Sequence, residues 1–307
     1  MVARNPWIAR DKAQINVLTQ PRYNIALTLH VRSSSMDIEA LVTDLDGTFW
    51  ATDMSLHAAS LETVARLDAA EVPFIIATGR RAQGAMSGIV PLGLQDRAAV
   101  LMNGALVRDR LDGPSFHQSA IPNHNALAIR NIFVAHDLEP LVYIDDPAED
   151  LLAAPDASAG ESFLGKAPGV RRVDDLVQAI EASTVIGFGA FGYTHEHLSL
   201  IQGEIEGRGL ASVFISPSHI EGDQGIMVQG ANVDKSTGLD ALCERHGLDR
   251  TKLAVVGDGF NDFAMLRSAA LAIVPNNAPP EIQAIADVVI EPNESGGWKV
   301  IPDIIGV

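Results

Sequence analysis

A single cysteine, few aromatic side chains (5%) and a shortage of basic charge limit what this chain does. Cys243, alone among 307 residues, excludes an intramolecular disulfide and any cysteine-rich zinc centre. Leu239, Leu242 and His246 stand around it at helical spacing, which marks it as a small buried apolar residue and not a nucleophile. The 22 Lys and Arg are outnumbered by 39 Asp and Glu, a formal net charge of −17 that argues against nucleic acid or an anionic membrane as partner. No apolar run approaches the ~18 residues that would span a bilayer. What is present is 47% hydrophobic residues, enough for a substantial core and for two domains.

The scarce basic charge is unevenly spread. Arg4, Arg10, Lys12, Arg22 and Arg32 face only Asp11 in the first 35 residues, a local +4 that leaves −21 on the remainder. No continuous apolar stretch followed by a small-residue cleavage site is present there, so a secretory signal is not expected. A basic, acid-poor leader reads either as an organelle-targeting segment or as an extension ahead of a working start at Met36. We expect residues 1–36 to be an extension that takes no part in the chemistry, and the protein to be cytoplasmic, a monomer or a homodimer.

From residue 37 onward, short apolar runs alternate with helical patterns. Ala40–Thr43, Val72–Ala77, Ala98–Met102, Leu253–Val256, Leu271–Val274 and Val288–Ile290 are of strand length, and most run into polar or small residues suited to turns. Continuous apolar strands separated by helices predict a parallel sheet covered on both faces. From about Asp112 to Ile226 the texture changes, with strands expected at 115–120, 141–144, 185–190, 212–215 and 226–229. Residues 145–169, rich in Ala, Pro, Asp, Ser and Gly, read as irregular. The expected organisation is therefore an α/β core formed by residues 37–111 and 227–307, with residues 112–226 inserted as an α+β domain.

The conspicuous polar clusters all fall at the ends of expected core strands. Asp44-Leu45-Asp46-Gly47-Thr48 follows the first, and its two carboxylates, two residues apart, can face one site. Two acids this close repel unless a cation or a shared proton relieves them. Asp and Gly are also ordinary turn residues, so these five alone leave open a strand ending in an acidic turn. Thr78-Gly79, Asn103-Gly104 and Gly257-Asp258-Gly259-Phe260-Asn261-Asp262 end three further strands. In an open parallel sheet these ends share one crevice. Oxygen-only ligands of this kind suit Mg2+, Asn261 and Asp262 stand at an expected helix start that favours anions, and Lys235 supplies a positive charge that a phosphate needs.

With these motifs in this order, the chain resembles the haloacid dehalogenase superfamily, and within it the Cof-like phosphatases that carry a large cap between the second and third motifs. The resemblance rests on Asp44–Thr48, Thr78-Gly79-Arg80, Asn103-Gly104-Ala105, Lys235 and Gly257–Asp262, supported by Ala264-Met265-Leu266, Asn277-Ala278 and Ala286-Asp287-Val288. It covers residues 37–110 and 229–307 well and the insert only in architecture. It implies a Rossmann-like core with an α+β cap, and a phosphatase acting on a small phosphorylated metabolite such as a sugar phosphate. It further implies Asp44 as nucleophile, Asp46 as proton donor and then acceptor, and Thr78, Gly79, Lys235 and Asn261 around the phosphoryl group. Mg2+ would be held by Asp44, the backbone carbonyl of Asp46, Asp258 and Asp262, the last as ligand or support. A phosphomutase using the same nucleophile is the alternative, and a non-catalytic phosphate sensor a more distant one. Phe49-Trp50 and Val274-Pro275-Asn276-Asn277 depart from the family pattern, the first where smaller aliphatics are frequent.

Overall fold

A computed structural model of the chain describes residues 37–157, 161–218 and 223–307. The expected extension at residues 1–36 lies outside the described residues. The chain begins with β1 (Ala40–Thr43), α1 (Ala58–Ala69), β2 (Phe74–Ala77), α2 (Ala82–Ile89), β3 (Ala99–Leu101), β4 (Leu106–Arg108) and β5 (Ser115–Gln118). It continues through α3 (Asn123–Ala135), β6 (Leu141–Ile144), β7 (Leu151–Ala153), α4 (Glu161–Leu164), β8 (Val170–Arg172), α5 (Leu176–Glu181), β9 (Val185–Tyr193), α6 (His195–Gly207), β10 (Ser212–Pro217) and β11 (Gln224–Gln229). It then returns by way of α7 (Lys235–His246), β12 (Leu253–Val256), α8 (Phe263–Ser268), β13 (Leu271–Pro275) and β14 (Val288–Ile290).

These strands form two sheets. An eight-stranded sheet has the order β14-β13-β12-β1-β2-β3-β4-β5, and a six-stranded one β10-β11-β9-β6-β7-β8. The larger is parallel from β14 to β3 and antiparallel at β3–β4 and β4–β5. The protein is thus of the α/β class, with a Rossmann-like, parallel-rich sheet. β1 shows why its sequence is continuously apolar. Leu41 points to the layer holding Val64 and Leu67 of α1, whereas Ala40 and Val42 point to Leu239, Leu242 and Cys243 of α7 and Met265 and Leu266 of α8. Both faces are covered, so apolar residues dominate, and the one polar side chain of the strand, Thr43, is buried with its hydroxyl donating to the Asp44 carbonyl at 2.6 Å. Cys243 is buried in that second layer, where burial pushes its thiol up to about 11.

Two expectations are corrected. Ser115–Gln118, expected to open the insert, pairs with β4 at the edge of the larger sheet, with Leu106 opposite Gln118. The short Asp109–Pro114 connection turns the chain straight back on β4, so the change of sheet comes after Gln118. Residues 145–169, expected to be irregular, contain β7 and α4. Leu151-Leu152-Ala153 is too short a run to register against its Ala-, Pro- and Asp-rich surroundings, yet all three residues are buried, Leu151 and Leu152 pair with β6, and all three pair with β8.

The smaller sheet lays Val142, Phe188, Ala190, Ile226 and Val228 against α3, α5 and α6. Tyr143, Leu151 and Ala153 instead join the apolar layer that holds Ala82, Ala85 and Ile89 of α2. A polar clasp reinforces this contact. Asp150 takes an ion pair from Arg81 and the backbone N–H of Gln83 at 2.9 Å, Arg81 Nη2 donates to the Pro168 carbonyl at 2.5 Å, and Gln83 Nε2 donates to the Pro147 carbonyl at 2.6 Å. Removing one partner of a buried ion pair leaves the other charge uncompensated, at a cost of about 3–5 kcal/mol. Asp150→Ala is therefore expected to lower the unfolding free energy by that amount in urea titrations, and a loss under about 1 kcal/mol would show the clasp to be ornamental. Among the described residues, no helix is long and apolar enough to cross a membrane.

Candidate active site

The polar clusters read from the sequence all leave strands at their carboxyl ends: Asp44 after β1, Thr78 after β2, Asn103 after β3 and Asp258 after β12. The order β12-β1-β2-β3 sets those ends side by side. The chain goes from β1 to β2 on one side, and β12 flanks β1 on the other. Between strands wound to opposite sides opens the crevice where α/β sheets bind ligands.

Asp44, Asp258 and Asp262 converge there, each offering a carboxylate oxygen within 4.8 Å of the others. Backbone geometry makes the approach possible. Gly47 has φ +78°, and a Cβ on it would fall 2.5 Å from Asp258 Oδ2, so only glycine lets the two loops meet. Thr48 Oγ1 donates to Asp258 Oδ1 at 2.6 Å and fixes that carboxylate.

Lys235 is drawn into the same place by its helix. Asp234 caps α7 by accepting from Thr237 N, and Thr237 Oγ1 accepts in turn from Asp234 N, a reciprocal cap that fixes the first turn. Gly104, at φ +102°, lies where a Cβ would come within 2.0 Å of the Asp234 carbonyl, so the helix start packs directly on the loop after β3. Lys235 is fully buried, and its Nζ donates to Asp44 Oδ1 at 2.5 Å and to Asp262 Oδ1 at 2.7 Å. Asp262 Oδ2 in turn accepts the backbone N–H of Asp258 at 3.0 Å and of Gly259 at 2.8 Å. Protein donors thus occupy both oxygens of Asp262. Among the described residues, no hydrogen bond reaches Oδ2 of Asp44 or of Asp258.

The electrostatics follow from three acids sharing one ammonium. Burial works against charge on Lys235, but Asp262 and Asp44 outweigh it and raise its pKa, so it stays protonated. Burial pushes Asp44 well above the usual carboxylate range, and Asp262 and Asp258 add to this against the pull of Lys235. Burial likewise raises Asp258 to about 6, with Asp262 contributing and Thr48 opposing. An additional cation is what such a group lacks, and its oxygen-only donors suit a hard divalent ion.

Asp46 stands apart from this group. Its oxygens accept Arg80 Nε at 2.6 Å, Arg80 Nη2 at 2.6 Å and Trp50 Nε1 at 3.0 Å. Burial alone would push its carboxyl up, but the hydrogen bonds and charge of Arg80, with Trp50, hold it below the usual range. Thr78 is buried, its hydroxyl accepting from Arg80 N at 3.1 Å, and Gly79 next to it lies against the Asn103 side chain. Asn261 Nδ2 donates to Asn103 Oδ1 at 3.0 Å, which joins the loops after β3 and β12. The sequence reading gave no role to Thr48, Arg80 or Trp50. Trp50 stood out there only as a departure from the family pattern, and its spacing of four residues from Asp46 carries no recognised signal.

This geometry defines an α/β protein with a buried acidic centre at the carboxyl ends of its parallel strands. A family model of haloacid dehalogenase-like hydrolases matches residues 41–300, and the chain belongs to that family. It is similar to a phosphoglycolate phosphatase of Methanopyrus kandleri, 23% identical over 257 residues that cover 84% of this chain and 92% of that one. Its fold resembles that of a haloacid dehalogenase-like hydrolase from Bacteroides thetaiotaomicron, with a TM-score of 0.74 and 21% identity over 87% of this chain and 99% of that one. A subclass IIB sugar phosphatase of the same superfamily gives a TM-score of 0.68, with 21% identity over 87% of this chain and 99% of the other.

Lys235 offers a direct test of the site. Lys235→Ala is expected to lower kcat/KM by about 10²–10³, the scale seen on removing one charge-stabilising donor. It also leaves Asp44 and Asp262 without their shared cation, so the chelator-treated variant should melt below wild type. A loss under threefold in kcat/KM would make Lys235 a purely structural buried cation.

Proposed function

We propose that this phosphatase is Mg2+-dependent and hydrolyses a small phosphorylated metabolite, most naturally a sugar phosphate, through an aspartyl-phosphate on Asp44. The observation that carries the reading is Asp44 itself: buried, anchored through Oδ1 to Lys235, and with Oδ2 left for chemistry. That oxygen forms a bond to phosphorus as the bond to the leaving oxygen breaks, and Asp46, which must first take up a proton against the pull of Arg80, delivers it to the departing alcohol. Water then attacks the aspartyl-phosphate, Asp46 takes its proton, and inorganic phosphate leaves with Asp44 regenerated. Thr78, the amide of Gly79, Lys235 and Asn261 hold the transferring group, which suits a reaction driven mainly by positioning and charge neutralisation.

Asp44, the Asp46 carbonyl and Asp258 would hold Mg2+, and the donors already on Asp262 favour a supporting part for it. Bound there, the ion would neutralise charge on the phosphoryl oxygens. In this reading the larger sheet, from β1 to β5 and again from α7 onward, carries the catalytic core, and the residues between Gln118 and Gly230 form a cap whose sheet, clasped to α2 just after Thr78-Gly79, excludes bulky substrates. The sugar phosphate assignment draws support from the fold likeness to a sugar phosphatase, whereas the phosphoglycolate phosphatase relative keeps small carboxylated phosphates in contention. The cytoplasm and a monomer or homodimer complete the proposal. Phosphate release from a panel of sugar phosphates, phosphoglycolate and nucleotides, with Mg2+, tests it. Hydrolysis confined to one small phosphomonoester class is expected, and no phosphate release from any member overturns it. Transfer to a second hydroxyl of the same sugar would instead indicate a mutase.

A further inference from the structure

Asp46 is held by more donors than an exposed turn aspartate needs. A carboxylate offers about four lone-pair sites. Arg80 Nε fills one on Oδ2, and Arg80 Nη2 and Trp50 Nε1 fill two on Oδ1. About one site is therefore left for a travelling proton, and its direction is set by the other three. The holder is itself braced. Arg80 Cζ lies 5.3 Å from the centre of the Trp50 ring, within range of a cation–π contact, and Arg80 Nη1 donates to the Gly84 carbonyl at 3.3 Å. Trp50 is buried, with Phe49 at 6.1 Å on one side and Gly88 on another, where a Cβ would fall 2.7 Å from the indole. Arg80 also belongs to the turn that carries Thr78 and Gly79, so the part holding Asp46 is rigidly joined to the part proposed to hold phosphate.

We propose that Arg80 and Trp50 are positioning residues for the proton transfers of Asp46, aiming its one open lone pair at the leaving oxygen and later at the attacking water. The proposal rests on the reading of Asp46 as proton donor and acceptor given above. A bidentate guanidinium fixes both the place and the plane of a carboxylate, which a lysine ammonium, a point charge, does not. The indole N–H restrains the same oxygen from within the core. Trp50, out of keeping with the family pattern after the first motif, thereby acquires a function.

Three variants test this alongside Asp46→Asn: Arg80→Met, Arg80→Lys and Trp50→Phe, the last removing the N–H but keeping a ring. Each is compared on an alkyl phosphate, whose leaving group needs a proton, and on 4-nitrophenyl phosphate, whose leaving group does not. Arg80→Met is expected to lower kcat on the alkyl substrate by about 10², the lower end of a general acid–base contribution. Phosphoenzyme formation from the aryl substrate should stay within about threefold, while its hydrolysis slows so that the phosphoenzyme accumulates. Arg80→Lys should recover only a small part of the loss, and Trp50→Phe should show the same leaving-group split to a lesser degree. In the Asp46→Asn background, Arg80→Met should cost little more, because residues acting through one group are not additive. Equal losses on both substrates, losses that multiply with Asp46→Asn, full recovery in Arg80→Lys, or a faster enzyme would each overturn the proposal. If Asp46→Asn itself showed no leaving-group split, the catalytic reading beneath it would be what fails.

Discussion

Asp44→Asn is expected to abolish turnover and to carry no covalent phosphate, whereas Asp46→Asn should be trapped with phosphate bound. The two residues are separated by one position, but in the proposed reaction their different surroundings suit them to different work. Asp44 is buried against Lys235, and its free oxygen lies among the metal-competent acids. Its amide replacement keeps the shape and most hydrogen bonds but removes the attacking oxyanion. Loss of a nucleophile typically costs on the order of 10⁴–10⁶ in kcat. Asp46 is partly solvent-accessible and paired with Arg80, so its replacement leaves the nucleophile intact.

An aryl phosphate, which needs little help in departure, should therefore still phosphorylate Asp44 in the Asp46→Asn protein. Hydrolysis of the intermediate then lacks its base and should slow by about 10²–10⁴. Intact-protein mass spectrometry after rapid quench would read one added phosphoryl group on Asp46→Asn and none on Asp44→Asn. The reverse pattern would show that the roles of the pair are exchanged, and phosphate on neither would remove the covalent intermediate.

The sequence made the larger sheet and its acidic crevice legible for one physical reason. Strands covered on both faces must be continuously apolar, so Ala40–Thr43 and Leu253–Val256 stand out, and a polar residue directly after such a run is already at the carboxyl edge. That is how Asp44, Thr78, Asn103 and Asp258 could be assigned to one place without coordinates. Where the pattern is short, this reasoning fails. Leu151–Ala153 is a fully buried strand of three residues set in turn-forming composition, and Ser115–Gln118 carries nothing that says which sheet it joins. The holder around Asp46 was illegible for a different reason. Arg80 was visible as the third residue of a motif and Trp50 as an unusual aromatic, but side-chain direction decides that both reach the same carboxylate. The burial of Lys235 was likewise set by the close approach of Gly104 to the start of α7, a contact between distant parts of the chain.

Chelation is expected to remove essentially all activity, and added Mg2+ to restore it. Charge neutralisation by a bound divalent ion supplies several kcal/mol to phosphoryl transfer, which corresponds to about 10³-fold or more in rate. The structure supplies a reason for the ion beyond catalysis. Asp44, Asp258 and Asp262 share the single ammonium of Lys235, and burial with mutual repulsion raises Asp44 and Asp258. In the metal-free protein Asp258 binds a proton more tightly folded, at about 6, than an unfolded aspartate does at about 4. Ionising it therefore costs stability, and in chelator the contribution of this group should decline as pH rises across that window. Mg2+ held as proposed would require the ionised form, so it should oppose the decline and raise Tm more at pH 7 than at pH 5. Asp258→Asn, which removes one charge and one ligand, should lose most activity yet melt no lower than wild type in chelator at neutral pH. Full turnover in chelator, or a Tm that Mg2+ leaves unmoved at both pH values, would show that these acids meet for some purpose other than holding a metal.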